Sequence, residues 1–318
     1  MLDTTPHAEQ SRPDIDAVIF DMDGVLLDIT ASIRVVNCLA VPFYLREILG
    51  WPASDDMLTS ADIELFKHAG GFNDDWDLTD ALVLHYLVKG REHPDDNPTT
   101  LNVLPPTLRR YTALIAEHGG GLRAAEKICF EGLSRQDQDG IESLYHKARI
   151  RQVFQELLGG EHCERLYGFA PTFYHGPGWI NQDRVLLDLA KVPTDKLLGV
   201  QTGRTRPEAE FGMEFTGLDT RIAAQFVVTK DNGFQKPNPD GLLALAQRLG
   251  FTQALYIGDT LDDLRTVKNF NAQSSEVKFL SAQVLTGPAG AANEQLFRRS
   301  GADIVASDVN AVLDWLAG

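Results

Sequence analysis

The chain has 318 residues, 43% of them hydrophobic, and a formal net charge of -16, so it can bury a full core and, at roughly 150 residues per domain, is expected to form about two domains. That acidic balance excludes nucleic acid as an expected partner, because non-specific affinity for a phosphate backbone comes from Lys and Arg. No run approaches the roughly 18 to 20 apolar residues that cross a bilayer, and Cys38, Cys129 and Cys163 lack the paired spacing of a zinc site or disulfide framework; no membrane is expected, and a reducing cytoplasm is.

Met1 to Asp14 is polar, with no apolar segment like that of a signal peptide, and reads as a mobile tail. From Ile15 to Phe20 the chain is mainly apolar and β-branched and stops at Asp21, as expected of a buried strand carrying acidic residues at its carboxyl end. DMDGVL, Asp21 to Leu26, follows at once. Two carboxylates one residue apart before a glycine turn can place one as a nucleophile and the next as an acid and base; an ordinary Asp-Gly turn has the same spelling.

Between about Thr30 and Ile180 the apolar residues recur at helical spacing. Leu78, Ala81, Leu82, His85 and Tyr86 form one stripe ending near Gly90, and Leu108, Tyr111, Leu114 and Ile115 a second, stopped by the glycines at 119 to 121. Ile141, Leu144, Tyr145, Ala148, Val153, Phe154, Leu157 and Leu158 form a third, long stripe stopped by Gly159 and Gly160. Short apolar runs then return at Leu197 to Val200, Phe226 to Thr229, Ala254 to Ile257, Gln283 to Leu285 and Ile304 to Ala306. Strands alternating with helices imply a parallel sheet covered on both faces. The expected organisation is an α/β core, 1-29 with 181-318, interrupted after its first strand by a mainly helical insertion, 30-180.

Three later groups bear on chemistry. Gln201, Thr202, Gly203 and Arg204 close the run Leu197 to Val200, where a hydroxyl and exposed backbone N–H groups can hold phosphate oxygens or simply make a turn. Lys236 begins KPNPDG, in which Asn238 can cap a helix with Pro239 at its first position. GDTLDD, Gly258 to Asp263, follows the run Ala254 to Ile257; Asp259 and Asp263 have the spacing to face one oxygen-loving cation, and Asp262 more naturally caps or solvates the next helix.

In this order the four pieces resemble the four motifs of the haloacid dehalogenase superfamily, over Asp16 to about Thr30 and about Asp183 to Gly318. The resemblance implies a doubly wound, mainly parallel, Rossmann-like sheet with its site at the strand carboxyl ends, and a helical cap inserted after the first motif. It implies Asp21 as a nucleophile that becomes an aspartyl phosphate, and Asp23 as the residue that protonates the leaving oxygen and later activates water. Thr202, Gly203 and Lys236 would bind the phosphoryl group. Asp21, the backbone carbonyl of Asp23, Asp259 and Asp263, the last directly or through water, would hold Mg2+, which a convergence of carboxylates also calls for.

The activity so implied is hydrolysis of a small phosphorylated metabolite. The halide-displacing members lack the second aspartate, so Asp23 favours phosphoryl chemistry, and no motif singles out Lys67 or Lys89 as a Schiff-base lysine. A phosphomutase and a non-catalytic binding module remain the alternatives. Asn73, Asp75 and Trp76 of the insertion are candidate substrate contacts, against a plain reading in which Asn73 and Asp77 form a turn and cap a helix and Trp76 packs in the core of the insertion. Arg204 is expected either to reach a second anionic group or to form a surface ion pair. The identity of the ester and the oligomeric state are not legible.

Overall fold

The computed structural model, which describes residues 1–72, 74–287 and 290–318, opens on folded chain where a mobile tail was expected. Leu2–Thr4 (β1) pairs antiparallel with Ile304–Ala306 at one edge of the sheet. Pro6–Ser11 (α1) starts at Thr5, whose hydroxyl accepts from the Ala8 amide, and Ala8 is fully buried. Trp315 donates its indole N–H to Glu9 at 2.9 Å, and Arg12 donates to the Trp315 carbonyl at 3.0 Å. Polar side chains fix this segment through caps and long-range hydrogen bonds, which leave no apolar periodicity to read.

Ala17–Phe20 (β2) is buried at every residue, so its continuous apolar run reflects cover on both faces. Leu27–Asp28 (β3) then leaves the sheet. Contacts divide the chain into two compact units, Met1–Ile29 with Asp183–Gly318, and Thr30–Gln182.

The inserted unit holds Ile33–Phe43 (α2), Ser60–Ala69 (α3), Asp75–Glu92 (α4), Leu108–Glu117 (α5), Gly121–Phe130 (α6), Arg135–Glu142 (α7), Lys147–Gly159 (α8) and Cys163–Tyr167 (α9). Helix α4 is its centre, packed by α2, α6, α7 and α8 and buried on nearly every face from Leu78 to Leu87. It ends near Gly90, at Glu92, and a Cβ at Gly90 would lie 2.5 Å from the ring of Trp51, so that glycine makes room for packing within the last turn. The long stripe from Ile141 to Leu158 is two helices, α7 and α8, broken at 143–146. The Leu144 carbonyl, left without a helical partner at the break, accepts from the buried Tyr44 hydroxyl at 2.6 Å.

Two buried polar groups on α4 are met in opposite ways. Lys89 donates its ammonium to the carbonyls of Leu101, Leu104 and Pro106 and so pins that loop. Asp80 is 4% exposed, and its Oδ1 has no hydrogen-bond partner. Burial pushes its carboxyl up to about 7, with Lys147 and Arg151 opposing and Asp77 and Glu126 adding to the rise. A folded-state value above that of the unfolded chain means that Asp80 favours the fold below about pH 4 and that this contribution is lost as pH rises through about 7. Asp80→Asn does not titrate, so its stability relative to the parent should grow from pH 5.5 to pH 8, by about 2 kcal/mol at most. Denaturant unfolding at both pH values checks this; a difference independent of pH would show that the Asp80 carboxyl is not disfavoured by burial.

After the insertion come Arg184–Val185 (β4), Leu197–Gln201 (β5), Arg206–Thr216 (α10), Val227–Val228 (β6), Asp240–Leu249 (α11), Gln253–Gly258 (β7), Leu261–Gln273 (α12), Lys278–Val284 (β8), Glu294–Arg299 (α13), Ile304–Ala306 (β9) and Val309–Ala317 (α14). The seven-stranded sheet has the order β1-β9-β8-β7-β2-β5-β6 and is parallel except for β1. Strands β3 and β4, at the two chain crossings, make a separate antiparallel ribbon. With β5 on one side of β2 and β7 on the other, Phe20 stands opposite both Val200 and Ile257. The residues that follow these three strands therefore share one edge of the sheet, where a doubly wound fold carries its ligands.

Candidate active site

Asp21 sits one residue beyond β2, 7% exposed, its amide hydrogen-bonded to the Ile257 carbonyl at 2.8 Å. Its Oδ1 accepts from the Met22 amide at 2.8 Å. The turn behind it is tightly wound: the Met22 carbonyl accepts from the amides of Val25, Leu26 and Leu27, and Gly24 has φ +75°. A Cβ at Gly24 would lie 2.3 Å from Asp259 Oδ2, so glycine is required there by conformation and by space.

Thr202 and Asp259 stand at the ends of the flanking strands, 3% and 5% exposed. The Thr202 amide is held by the Val228 carbonyl at 2.9 Å and its hydroxyl accepts from the Arg204 amide at 3.1 Å. Gly203 is exposed, and a Cβ there would meet no atom within 4 Å, so its backbone is open to approach. Lys236 arrives on a loop fixed by Asn238, whose side chain accepts from the Asp240 amide at 2.9 Å at the start of α11, and by Asn269, which donates to the Pro237 carbonyl at 2.9 Å. Its ammonium lies 2.8 Å from Asp21 Oδ1 and 2.7 Å from Asp263 Oδ1.

Asp263 is fully buried and takes five donors. Oδ1 accepts from Lys236 and from the Tyr256 hydroxyl at 2.9 Å; Oδ2 accepts from the amides of Asp259 and Thr260 and from the Thr260 hydroxyl. It forms the capping box of α12 with Thr260, the role expected of Asp262, which instead pairs with Arg265 at 3.0 Å. Both oxygens of Asp263 are engaged, so a direct ligand bond from it would displace one of these donors.

Burial pushes the Asp21 carboxyl up to about 7 even though Lys236 opposes it, and Asp263 and Asp23 push the same way. Burial, Asp263 and Asp21 hold Asp259 well above the usual carboxylate range. Burial would raise Asp263 too, but Lys236 and the Thr260 donors outweigh it and keep it low. One ammonium thus faces three buried carboxylates. Oxygens of Asp21, Asp259 and Asp263 lie within 4.8 Å of one another, and Asp259 Oδ1 is buried with no hydrogen-bond partner. An all-oxygen set with an unmatched buried acceptor fits a hard divalent cation. Gly287 completes the cradle: a Cβ there would lie 2.1 Å from Asp259 Oδ2, and the neighbouring Thr286 hydroxyl donates to the Gly24 carbonyl.

Asp23 and Arg204 meet. Arg204 Nε and Nη2 lie 2.8 and 2.7 Å from Asp23 Oδ1, and Nη2 also donates to Asp183 Oδ2 at 2.7 Å. The guanidinium is 3% exposed, so the sequence reading is corrected: Arg204 makes neither a surface ion pair nor an open arm toward a second anionic group, but is buried between two carboxylates. Asp183, Tyr256 and Gly287 were not anticipated, and none lies in a recognisable motif.

Within the inserted unit, Asn73 lies outside the described residues. Asp75 Oδ1 accepts from Asn37 and Lys67 at 2.8 and 2.9 Å; burial opposes ionisation, but Lys67 and Arg34 hold its carboxyl below the usual range. Asp74, not Asp77, caps α4 by accepting from the Trp76 amide. Trp76 is half-buried beneath the Arg151 guanidinium, 4.3 Å from its ring centroid.

Residues 182–271 match the family of haloacid dehalogenase-like hydrolases. Among solved structures, a structural-genomics target shares 17% identity at a TM-score of 0.62, over 95% of this chain and 98% of that one. Phosphatase Tt82 from Thermococcus thioreducens shares 22% identity at a TM-score of 0.61, over 95% of this chain and 99% of that one. At these identities the likeness is one of fold. No curated protein sequence matches the chain, and no helix among the described residues is long and apolar enough to cross a membrane. The chain therefore carries a haloacid dehalogenase-like hydrolase domain, built on a Rossmann-like parallel sheet with a helical unit inserted after its first buried strand.

Proposed function

We propose that this protein is a Mg2+-dependent phosphatase that hydrolyses the phosphate ester of a small metabolite through an aspartyl phosphate on Asp21. The observation that carries the reading is Asp21 itself: a buried carboxylate 2.8 Å from Lys236 and grouped with Asp259 and Asp263. The fold shared with a protein named as a phosphatase agrees with it.

In this reading an Asp21 oxygen attacks phosphorus as the bond to the leaving oxygen breaks, and Asp23 gives that oxygen its proton. Water then attacks the aspartyl phosphate, yielding its proton to Asp23, and inorganic phosphate leaves with Asp21 restored. The Thr202 hydroxyl and Gly203 amide hold phosphoryl oxygens, and Lys236 offsets charge on Asp21 and the phosphoryl group. Asp21, Asp259 and the Asp23 carbonyl would hold Mg2+, with Asp263 bearing on it through its neighbours or a water. When bound, the ion neutralises charge on the transferring group. Substrate selection falls to residues 30–182, because the core motifs recognise only the phosphoryl group. Three free, buried thiols suit a cytoplasmic setting.

A panel of phosphorylated metabolites and p-nitrophenyl phosphate, assayed with Mg2+ and with EDTA, tests both halves of the proposal. Phosphate release should require Mg2+ and return when it is restored, and one metabolite class should exceed p-nitrophenyl phosphate in kcat/KM by about tenfold or more. Undiminished turnover in EDTA would overturn the metal assignment. A flat profile across the panel would overturn selection by the inserted unit.

A further inference from the structure

We propose that Arg204, braced by Asp183, is a positioning residue that fixes the orientation of the Asp23 carboxylate; this rests on the phosphatase reading and deepens it. Both guanidinium contacts to Asp23 go to Oδ1, at 2.7 and 2.8 Å, which leaves Oδ2 outside the pair. Side-chain exposure falls from 26% at Asp23 to 3% at Arg204 and 2% at Asp183, so the contact reaches from the open side of the site into the core.

Arg204 is itself held on both sides. Its amide donates to the Thr202 hydroxyl and its carbonyl accepts from the Lys230 amide at 3.1 Å. Glu208 then accepts from the Thr205 amide at 2.8 Å where α10 starts, directly behind it. The guanidinium therefore ties Asp23 to the turn that carries Thr202. Asp183 is the first residue of the core after the insertion and precedes β4, which pairs with β3. A planar fork can satisfy two carboxylates at fixed angles, which the point charge of a lysine cannot do.

In the proposed reaction Asp23 passes a proton to the leaving oxygen, so its orientation matters most where that oxygen is a poor leaving group. Phenyl phosphate needs this proton far more than p-nitrophenyl phosphate does. The experiment compares kcat and KM on these two esters, with Mg2+, for the full-length parent, Arg204→Ala, Arg204→Lys, Asp183→Asn and Asp21→Asn.

For Arg204→Ala, kcat/KM, which reports the steps through departure of the leaving group, should fall about 100-fold on phenyl phosphate and less than about tenfold on p-nitrophenyl phosphate, while kcat falls alike on both wherever hydrolysis of the common aspartyl phosphate limits turnover. Millimolar guanidinium should restore about a tenth or more of the lost phenyl phosphate turnover. Arg204→Lys and Asp183→Asn should show the same bias more weakly, and they decide the question if Arg204→Ala does not fold. Equal losses of kcat/KM on both esters in folded variants, or a raised KM with unchanged kcat, would overturn the positioning role; the second pattern would mark Arg204 as a binder of substrate charge. A parent that hydrolyses neither ester, or one whose turnover survives Asp21→Asn, would instead overturn the phosphatase reading and this proposal with it.

Discussion

Asp21→Asn should lower phosphate release by about 10^4-fold or more while leaving the fold in place. Asn has nearly the shape of Asp but cannot attack phosphorus. Its amide also removes one of three carboxylates buried within 4.8 Å of one another, and Lys236 keeps Asp263 as a partner at 2.7 Å. The melting temperature should therefore stay close to that of the parent or rise. Circular dichroism and a phosphate-release assay measure the two halves separately. Trapping the parent with beryllofluoride or rapid acid quench should place the modification on Asp21 by mass spectrometry. Turnover above about 1% of the parent in Asp21→Asn verified free of deamidation would exclude Asp21 as the nucleophile.

The strands that position Asp21, Thr202 and Asp259 were legible because a parallel strand buried on both faces leaves a continuous apolar run ending in a polar residue. Leu197–Gln201 and Gln253–Gly258 lie within a residue of the runs read from sequence. The insertion was legible as helical, but helical spacing continues in phase across a short break, which is why α7 and α8 read as one stripe. The first strand and helix were missed because Thr5, Glu9 and Arg12 act through caps and through Trp315, some 300 residues away. Asp263 as the capping residue could have been found: Thr260 and Asp263 stand at the spacing of a capping box, and the reading chose Asp262 instead. No local signal marks the Arg204 bridge, since Asp23 and Asp183 lie 181 and 21 residues from it and meet it only through the order of strands.

Lys236→Met should cost both turnover and stability, which separates it from Asp21→Asn. The ammonium is 14% exposed and lies 2.8 Å from Asp21 and 2.7 Å from Asp263, so it is the cation built into the chain at this acidic centre. Methionine keeps most of the side-chain volume and removes the charge. Uncompensated buried carboxylates then remain, and breaking such a pair typically costs about 3–5 kcal/mol. Mg2+ at the neighbouring oxygens would recover part of that stability but cannot reproduce the hydrogen bond that holds Asp21 Oδ1. With the nucleophile less well oriented and the phosphoryl charge less well offset, kcat should fall about 10^3-fold even at saturating Mg2+. Thermal unfolding with and without Mg2+, alongside steady-state turnover, measures both effects. A folded Lys236→Met protein within about tenfold of the parent would show that Lys236 only neutralises buried charge, and that the chemistry proceeds on Asp21 without it.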